Sequence, residues 1–211
     1  MTNISFLIGN GESRKDIDLE TLRGKGTIIG CNALYRDFAP DVLLAVDQKM
    51  INEVIAKGYT KDNYVVIPKN RHAKLNNARL KQNAYTLGLD KYNTCGGAAM
   101  QYAGQMKTDI AYLLGYDCYG GNVYFGTENY ARNVKDSRYN VFVKLFAHAF
   151  QLHSSTKFIN VIKDGKDGIT PRLIHHHKNF GTLDINEFIT NLPKFPHQEP
   201  VYAHDEFNKQ D

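Results

Sequence analysis

Short polar segments at the ends of apolar runs carry the residue types from which a site for a phosphate or a sugar could be built. Gly9-Asn10-Gly11-Glu12-Ser13 follows the run Ile4–Ile8, Asn32 follows Thr27–Cys31, Asp47 and Gln48 follow Val42–Val46, and Asp117 follows Asp109–Tyr116. A glycine loop after a strand lets backbone approach a phosphate, and the Asn10 amide can serve a ribose or the phosphate itself. The loop is G-x-G, but Arg14 stands where a dinucleotide fingerprint has its third glycine, and Cys31-Asn32 rather than an acid closes the second run. A dinucleotide site therefore fails two of its tests. Thr94-Cys95-Gly96-Gly97 opens a small-residue stretch whose free N–H groups could hold an anion. Each segment also has a plainer reading: a tight turn for the loop, a helix cap for Asn32 and Asp117, a helix start for Thr94.

Other reactive side chains point to less. Cys95 would sit at a helix N-terminus, where thiols are activated, yet no motif ties a histidine or an aspartate to it. His175-His176-His177 are adjacent, and adjacent residues of an extended strand face opposite sides, so they cannot easily share one ion. His148 and His153 are five apart on a helix, not the i, i+4 of a zinc pair, and read as helix-face histidines. No metal site is expected.

The elements that must position these residues alternate. Apolar runs at Ile4–Ile8, Thr27–Cys31, Val42–Val46, Tyr64–Ile67, Asp109–Tyr116 and Lys157–Ile162 predict six strands, with helices over Gln48–Lys57, Gly96–Lys107 and Arg138–His153. Continuous rather than alternating apolar character implies strands covered on both faces, hence a three-layer, Rossmann-like α/β fold with a mostly parallel sheet. Ligands in such folds lie outside the carboxyl ends of the strands, which gathers the segments above on one rim. Lys69–Thr94 is polar and basic, and Cys118–Asp136 is rich in Gly, Tyr and Asn; both read as insertions, the second as a lid. The expected organisation is one nucleotide-binding domain over residues 1–190, with a lid near 118–136. An extended or disordered tail follows over 191–211, where three of the six prolines lie.

Composition bounds the class. With 42 % apolar and 23 % charged residues in 211, the chain is an ordinary globular protein. The longest apolar run, Ala111–Tyr116, is strand-sized, so no membrane span is expected, and no basic segment precedes the first apolar run as in a secretory signal. Three scattered cysteines fit a reducing, cytoplasmic setting. The net charge of +4 favours anionic small molecules, and seven basic residues from Lys61 to Lys91 admit an anionic glycan or nucleic acid, although few aromatics interleave them. The sequence leaves room for a homo-oligomer.

In order, the motifs G-N-G-x-S-x-K-x-I-D (Gly9–Asp18), C-N (Cys31-Asn32), T-x-G-G (Thr94–Gly97) and Y-L-L-G-Y-D (Tyr112–Asp117) resemble the bacterial lipooligosaccharide sialyltransferases. A looser resemblance is to MptE-like proteins, hydroxymethylpterin pyrophosphokinases among them. The resemblance covers roughly residues 4–130 and implies a Rossmann-like domain using CMP-sialic acid without a metal. It implies that Asn10, Gly11, Ser13, Asn32, Thr94, Cys95, Gly96 and Asp117 bind the nucleotide, and that Asp47, Gln48 and Tyr124 bind the substrate. Cys95 replaces the serine of the family's T-S-G, and Asp47 stands where the family often has Asn. The family's general-base histidine has no clear counterpart; Asp136 occupies that place before the long helix, and is the candidate base or else a helix cap.

Function is thus expected to be transfer of a sugar from a nucleotide-activated, CMP-type donor to a hydroxyl of a glycan or other acceptor, with no cofactor. Compact size and lack of an anchor fit a cytoplasmic, phage-encoded member. Two alternatives stand beside it: a Mg²⁺-dependent phosphoryl or pyrophosphoryl transferase, and an inactive nucleotide binder.

Overall fold

The computed structural model describes residues 2–68, 84–87 and 94–202, the segment 84–87 by its backbone. The strands are β1 (Ile4–Ile8), β2 (Thr27–Cys31), β3 (Val42–Leu44), β4 (Val65–Pro68), β5 (Ala84–Leu87), β6 (Ile110–Leu114), β7 (Lys157–Ile162) and β8 (Phe180–Asp184). They form one sheet, parallel throughout, in the order β5-β4-β3-β2-β1-β6-β7-β8. The helices are α1 (Gln48–Ala56), α2 (Cys95–Gln105), α3 (Asp136–Leu152) and α4 (Ile185–Asn191).

Both faces of the sheet are covered, which is why the central strands read as unbroken apolar runs. Along β1, Leu7 packs into a cluster with Ile29, Leu113 and residues of α2 and α3, whereas Phe6 and Ile8 pack into a second cluster with Leu43, Tyr112, α1 and α4. The result is the expected three-layer, Rossmann-like α/β fold. Among the described residues no helix is long and apolar enough to cross a membrane.

The structure adds β5, β8 and α4 to the predicted elements. β5 lies within the stretch read as a polar insertion and extends the sheet beside β4. β8 is a half-buried edge strand containing Gly181, so it lacks the apolar run that marks a buried strand. Asp184 ends β8 and caps α4, its Oδ1 accepting from the N–H of Asn186 at 2.8 Å. The basic residues from Lys69 to Lys91 lie outside the described residues.

After the 3-10 turn Leu192–Lys194, residues 195–202 are strapped across the amino ends of the central strands. Phe195 packs against Phe6 and Tyr112. Gln198 Oε1 accepts from Ile4 N–H at 2.9 Å, its Nε2 donates to Ile4 O at 3.2 Å, and its own N–H donates to Gly24 O at 2.8 Å. Val201 N–H then donates to Thr27 Oγ1 at 2.8 Å. Gln198→Ala removes two bonds to the backbone of β1 at a cost of about 1–2 kcal/mol. Differential scanning calorimetry should show a fall in Tm of roughly 3–6 °C.

At the other end of the α2–α3 pair, His153 is wedged against Gly104. A Cβ there would stand 2.1 Å from the ring, so the glycine is required by close approach. Burial, with a smaller contribution from His148, lowers the pKa of His153, and burial also lowers that of His177. The unfolded chain then takes up these protons first, so stability is lost as the pH falls below about 6.5. Between pH 7 and 5 the Tm should drop, and His153→Gln should flatten part of that slope; a slope identical to wild type refutes the assignment.

Candidate functional site

The chain leaves β1 toward β2 and the lower-numbered edge, and returns through β6 on the other side of β1. The loops after β1 and β6 therefore diverge, and the gap between them is the switch point at which parallel α/β sheets bind ligands. A cleft of about 540 Å³ lies there, lined by the ends of β1, β2, β3 and β6, the starts of α1 and α2, the lid and α3. Its volume falls in the range of small-molecule sites, roughly 300–1,000 Å³.

The floor is a close crossing of two loops. Gly9 N–H donates to Leu114 O at 2.7 Å, and Gly11 N–H donates to Gly115 O at 2.9 Å. A Cβ on Gly9 would stand 2.5 Å from Gly115 O, and one on Gly11 would stand 2.6 Å from both Gly115 O and the Asp117 carboxylate. Gly115 has the left-handed φ of +70° that favours glycine. The glycines of the first loop thus serve the approach of β1 to β6, and the Gly11 N–H is already engaged, whereas the sequence suggested backbone left open for a phosphate. Ser13 completes the crossing: its N–H donates to Asp117 Oδ2 at 3.0 Å and its hydroxyl donates to Oδ1. Burial raises the pKa of Asp117, opposed by the bonds from Ser13. Asp117 lines the cleft with its carboxylate committed inward, and Ser13 supports it from behind.

The wall formed by β2 and β3 carries two coupled polar residues. Asn32 is buried at a left-handed φ of +49°, a conformation asparagine tolerates better than other non-glycine residues. Its Oδ1 accepts from Val46 N–H at 3.3 Å, and its Nδ2 donates to Asp47 Oδ2 at 2.8 Å. Asn32 begins a 3-10 turn whose N-cap is Cys31, so it is not itself the cap. Asn10 Nδ2 donates to Cys31 O at 3.3 Å, while its buried Oδ1 has no protein partner. Thr94 is the N-cap of α2, its Oγ1 accepting from Gly97 N–H at 3.0 Å, and Cys95 Sγ donates to Leu44 O at 3.0 Å. Burial holds the Cys95 thiol well above its ordinary pKa, the opposite of a thiolate nucleophile.

Residues 118–135, the stretch expected to be a lid, form the loop between β6 and α3. Arg36 donates to Glu53 at 2.6 Å while also reaching Thr127 Oγ1 at 2.8 Å and Glu128 O at 2.9 Å, and Asn129 Nδ2 donates to Glu53 at 2.7 Å. Hydrogen bonding from Arg36 pulls the Glu53 carboxyl down to about 2, so the pair stays ionised at any ordinary pH. Arg14 is buried in a second tether. Its guanidinium pairs with Asp37 at 3.1 Å and with Tyr124 Oη at 2.8 Å, and Tyr124 donates to Asp37. Arg14 therefore replaces the third glycine of a dinucleotide loop because it is a lid anchor. Tyr124 belongs to that anchor and does not line the cleft; the lid tyrosines that do are Tyr119 and Tyr130.

The far wall is one face of α3, bearing Arg138, Tyr139, Phe142 and Phe146. Asp136 is the first residue of this helix but stands to the side of that face. Its side chain is 78 % exposed and pairs with Arg172 at 2.8 Å. The N-cap is Lys135, so the structure brings Asp136 neither to the cleft nor to the capping position.

Nine of the twelve candidate residues thus line one cleft: Asn10, Gly11, Asn32, Asp47, Gln48, Thr94, Cys95, Gly96 and Asp117. Ser13, Tyr124 and Asp136 lie outside it. The residues missed were Lys49, Asn129, Tyr130 and the α3 face, whose Arg138, Tyr139, Phe142 and Phe146 spacing was a visible stripe in a predicted helix. Burial raises the pKa of Tyr116, Tyr130, Tyr139 and Cys118, so these groups keep their protons beside the cations Lys49 and Arg138; the Tyr116 hydroxyl donates to Gly96 O at 3.2 Å and the Tyr139 hydroxyl to Gly120 O at 3.0 Å. Among the described residues, no group of three or more His, Cys, Asp or Glu could hold a metal ion. His175 and His176 are exposed, while His177 packs on Phe150.

No protein-family model matches the chain, and no curated protein matches it significantly. Among solved structures it is similar to the sialyltransferase CST-II in complex with a trisaccharide acceptor and CMP. That match has a TM-score of 0.51 and 15 % identity, over 82 % of this chain and 88 % of the other. A mutant of the alpha-2,3/8-sialyltransferase CstII matches with a TM-score of 0.46 and 15 % identity, over 82 % and 89 %. At this identity the likeness is one of fold, and it places the chain among proteins with the same α/β architecture.

Proposed function

We propose that the chain is a glycosyltransferase that binds a nucleotide-activated sugar of the CMP type in the switch-point cleft and passes the sugar to a hydroxyl acceptor. The observation that carries this reading is the composition of the cleft at that place in the fold: the N-termini of α1 and α2, the cations Lys49 and Arg138, and protonated tyrosines around a volume suited to a nucleotide. The fold likeness to a sialyltransferase solved with CMP and an acceptor supports the same class.

In such a reaction the bond between the anomeric carbon and the phosphate oxygen breaks, and negative charge grows on the leaving nucleotide. The N-terminus of α2, Arg138 and the Tyr130 hydroxyl are the groups suited to stabilise that charge where it develops. Asn10, whose buried Oδ1 has no protein partner, is suited to accept from a sugar or base donor. The lid, tethered by Arg14 and Arg36, keeps water from the departing group.

Calorimetry with CMP tests the site. Arg138→Ala should weaken binding roughly tenfold, the loss of a charge-assisted contact. Lys144→Ala, an exposed cation on the same helix outside the cleft, should change it little. Equal losses in both variants would mean that only net charge matters. CMP affinity should also be unchanged by EDTA; affinity that collapses on chelation and returns with Mg²⁺ moves the reading to pyrophosphoryl transfer.

A further inference from the structure

Transfer to a hydroxyl needs a proton acceptor, and among the described residues no histidine lines the cleft. The carboxylates that line it among the described residues are Asp47 and Asp117. Asp117 is 8 % exposed and both of its oxygens accept from Ser13, so it is occupied in holding the floor together. Asp47 is different in three respects. It occupies the N-cap position of α1 yet makes no capping bond with its side chain, although an aspartate there ordinarily accepts from the first turn. It is exposed. One oxygen, Oδ2, is held by Asn32 Nδ2 at 2.8 Å, and among the described residues no hydrogen bond reaches Oδ1.

Asn32 has no freedom to present anything but its amide N–H₂ to that carboxylate. Its Oδ1 is committed to Val46 N–H at 3.3 Å, which fixes the orientation of the amide. Its backbone is held at φ +49°, a strained setting that persists where the surroundings enforce it and that clusters at functional sites. A buried, strained asparagine thus pins one oxygen of an exposed carboxylate at the cleft wall, with a cap left unmade.

From this juxtaposition we propose that Asp47 is the general base of the transfer and that Asn32 is the positioning residue that aims it; this rests on the glycosyltransferase reading above. The acceptor hydroxyl oxygen attacks the anomeric carbon, and a new carbon–oxygen bond forms. The old bond to the phosphate oxygen breaks, and its electron pair leaves with the nucleoside monophosphate. The hydroxyl proton passes to the free oxygen of Asp47. A carboxylate is basic enough because the hydroxyl becomes acidic only as its oxygen bonds to carbon. The acid so formed later returns the proton to water.

The test uses the full chain with CMP-sialic acid and other CMP-sugars as donors and lactose as acceptor, following CMP release and, separately, CMP binding by calorimetry. Asp47→Asn keeps an acceptor for Asn32 but removes the base. CMP affinity should stay within about threefold while turnover falls roughly 10²- to 10⁴-fold. Formate should restore part of the turnover of Asp47→Ala. Asn32→Gly, which suits the left-handed backbone, should lower kcat with KM held. Asp47→Asn turnover within threefold of wild type overturns the assignment. Wild-type protein that binds CMP but transfers no sugar overturns it as well, while leaving a nucleotide cleft in place. Failure to bind CMP at all removes the glycosyltransferase reading together with it.

Discussion

The buried carboxylate of Asp117 is the interaction on which the cleft depends. It sits just beyond the end of β6 and takes both the amide and the hydroxyl of Ser13, just beyond the end of β1. Between them Gly9, Gly11 and Gly115 let two backbones pass with no room for a side chain. The desolvation that raises the pKa of Asp117 is opposed by donors from the first loop, Ser13 foremost and the backbone of Glu12 beside it. Removing either partner would leave a polar group buried and unpaired and would free the loop that forms the cleft floor.

The lid is fixed by a different kind of force. Few of its residues are buried, and its hold on the body is largely electrostatic: Arg36 spans from Glu53 to Thr127 and Glu128, and Arg14 links Asp37 to Tyr124. Buried ion pairs add little net stability because desolvation consumes most of the attraction, but their geometry is demanding. Such pairs set where Tyr130 and Asn129 stand more than how firmly the chain folds. Tyr124, expected in the cleft, is consumed as part of this anchor.

How much was legible follows from the range of the interactions involved. Buried parallel strands announce themselves locally, and the six apolar runs became strands with ends shifted by a residue or two. β8 did not, since an edge strand containing Gly181 and exposed Thr182 has no apolar run to read. At the site, residues at carboxyl ends of strands were found because sheet topology alone gathers them. Asp136 against Arg138 could not be separated from sequence: both open the same helix, and only the rotation of α3 against the sheet decides which faces the cleft. The role of Arg14 rests on a partner 110 positions away, Tyr124, which no local pattern reveals.

The strap formed by residues 195–202 has a consequence for how the chain comes to be folded. The first residue of β1 hydrogen-bonds to Gln198, 194 positions later, and β1 also needs β6, more than a hundred residues downstream of its own start. Of the eight strands the first to be synthesised is therefore the last to have all of its backbone groups satisfied. β1 must wait, paired with β2 alone, until β6 and Gln198 are made. Closures of such long range are slow, because their entropy is lost before their contacts form. The apolar Ile4–Ile8 run is for that interval an open sheet edge, and the emerging chain is at its most vulnerable to association with its neighbours on the polysome.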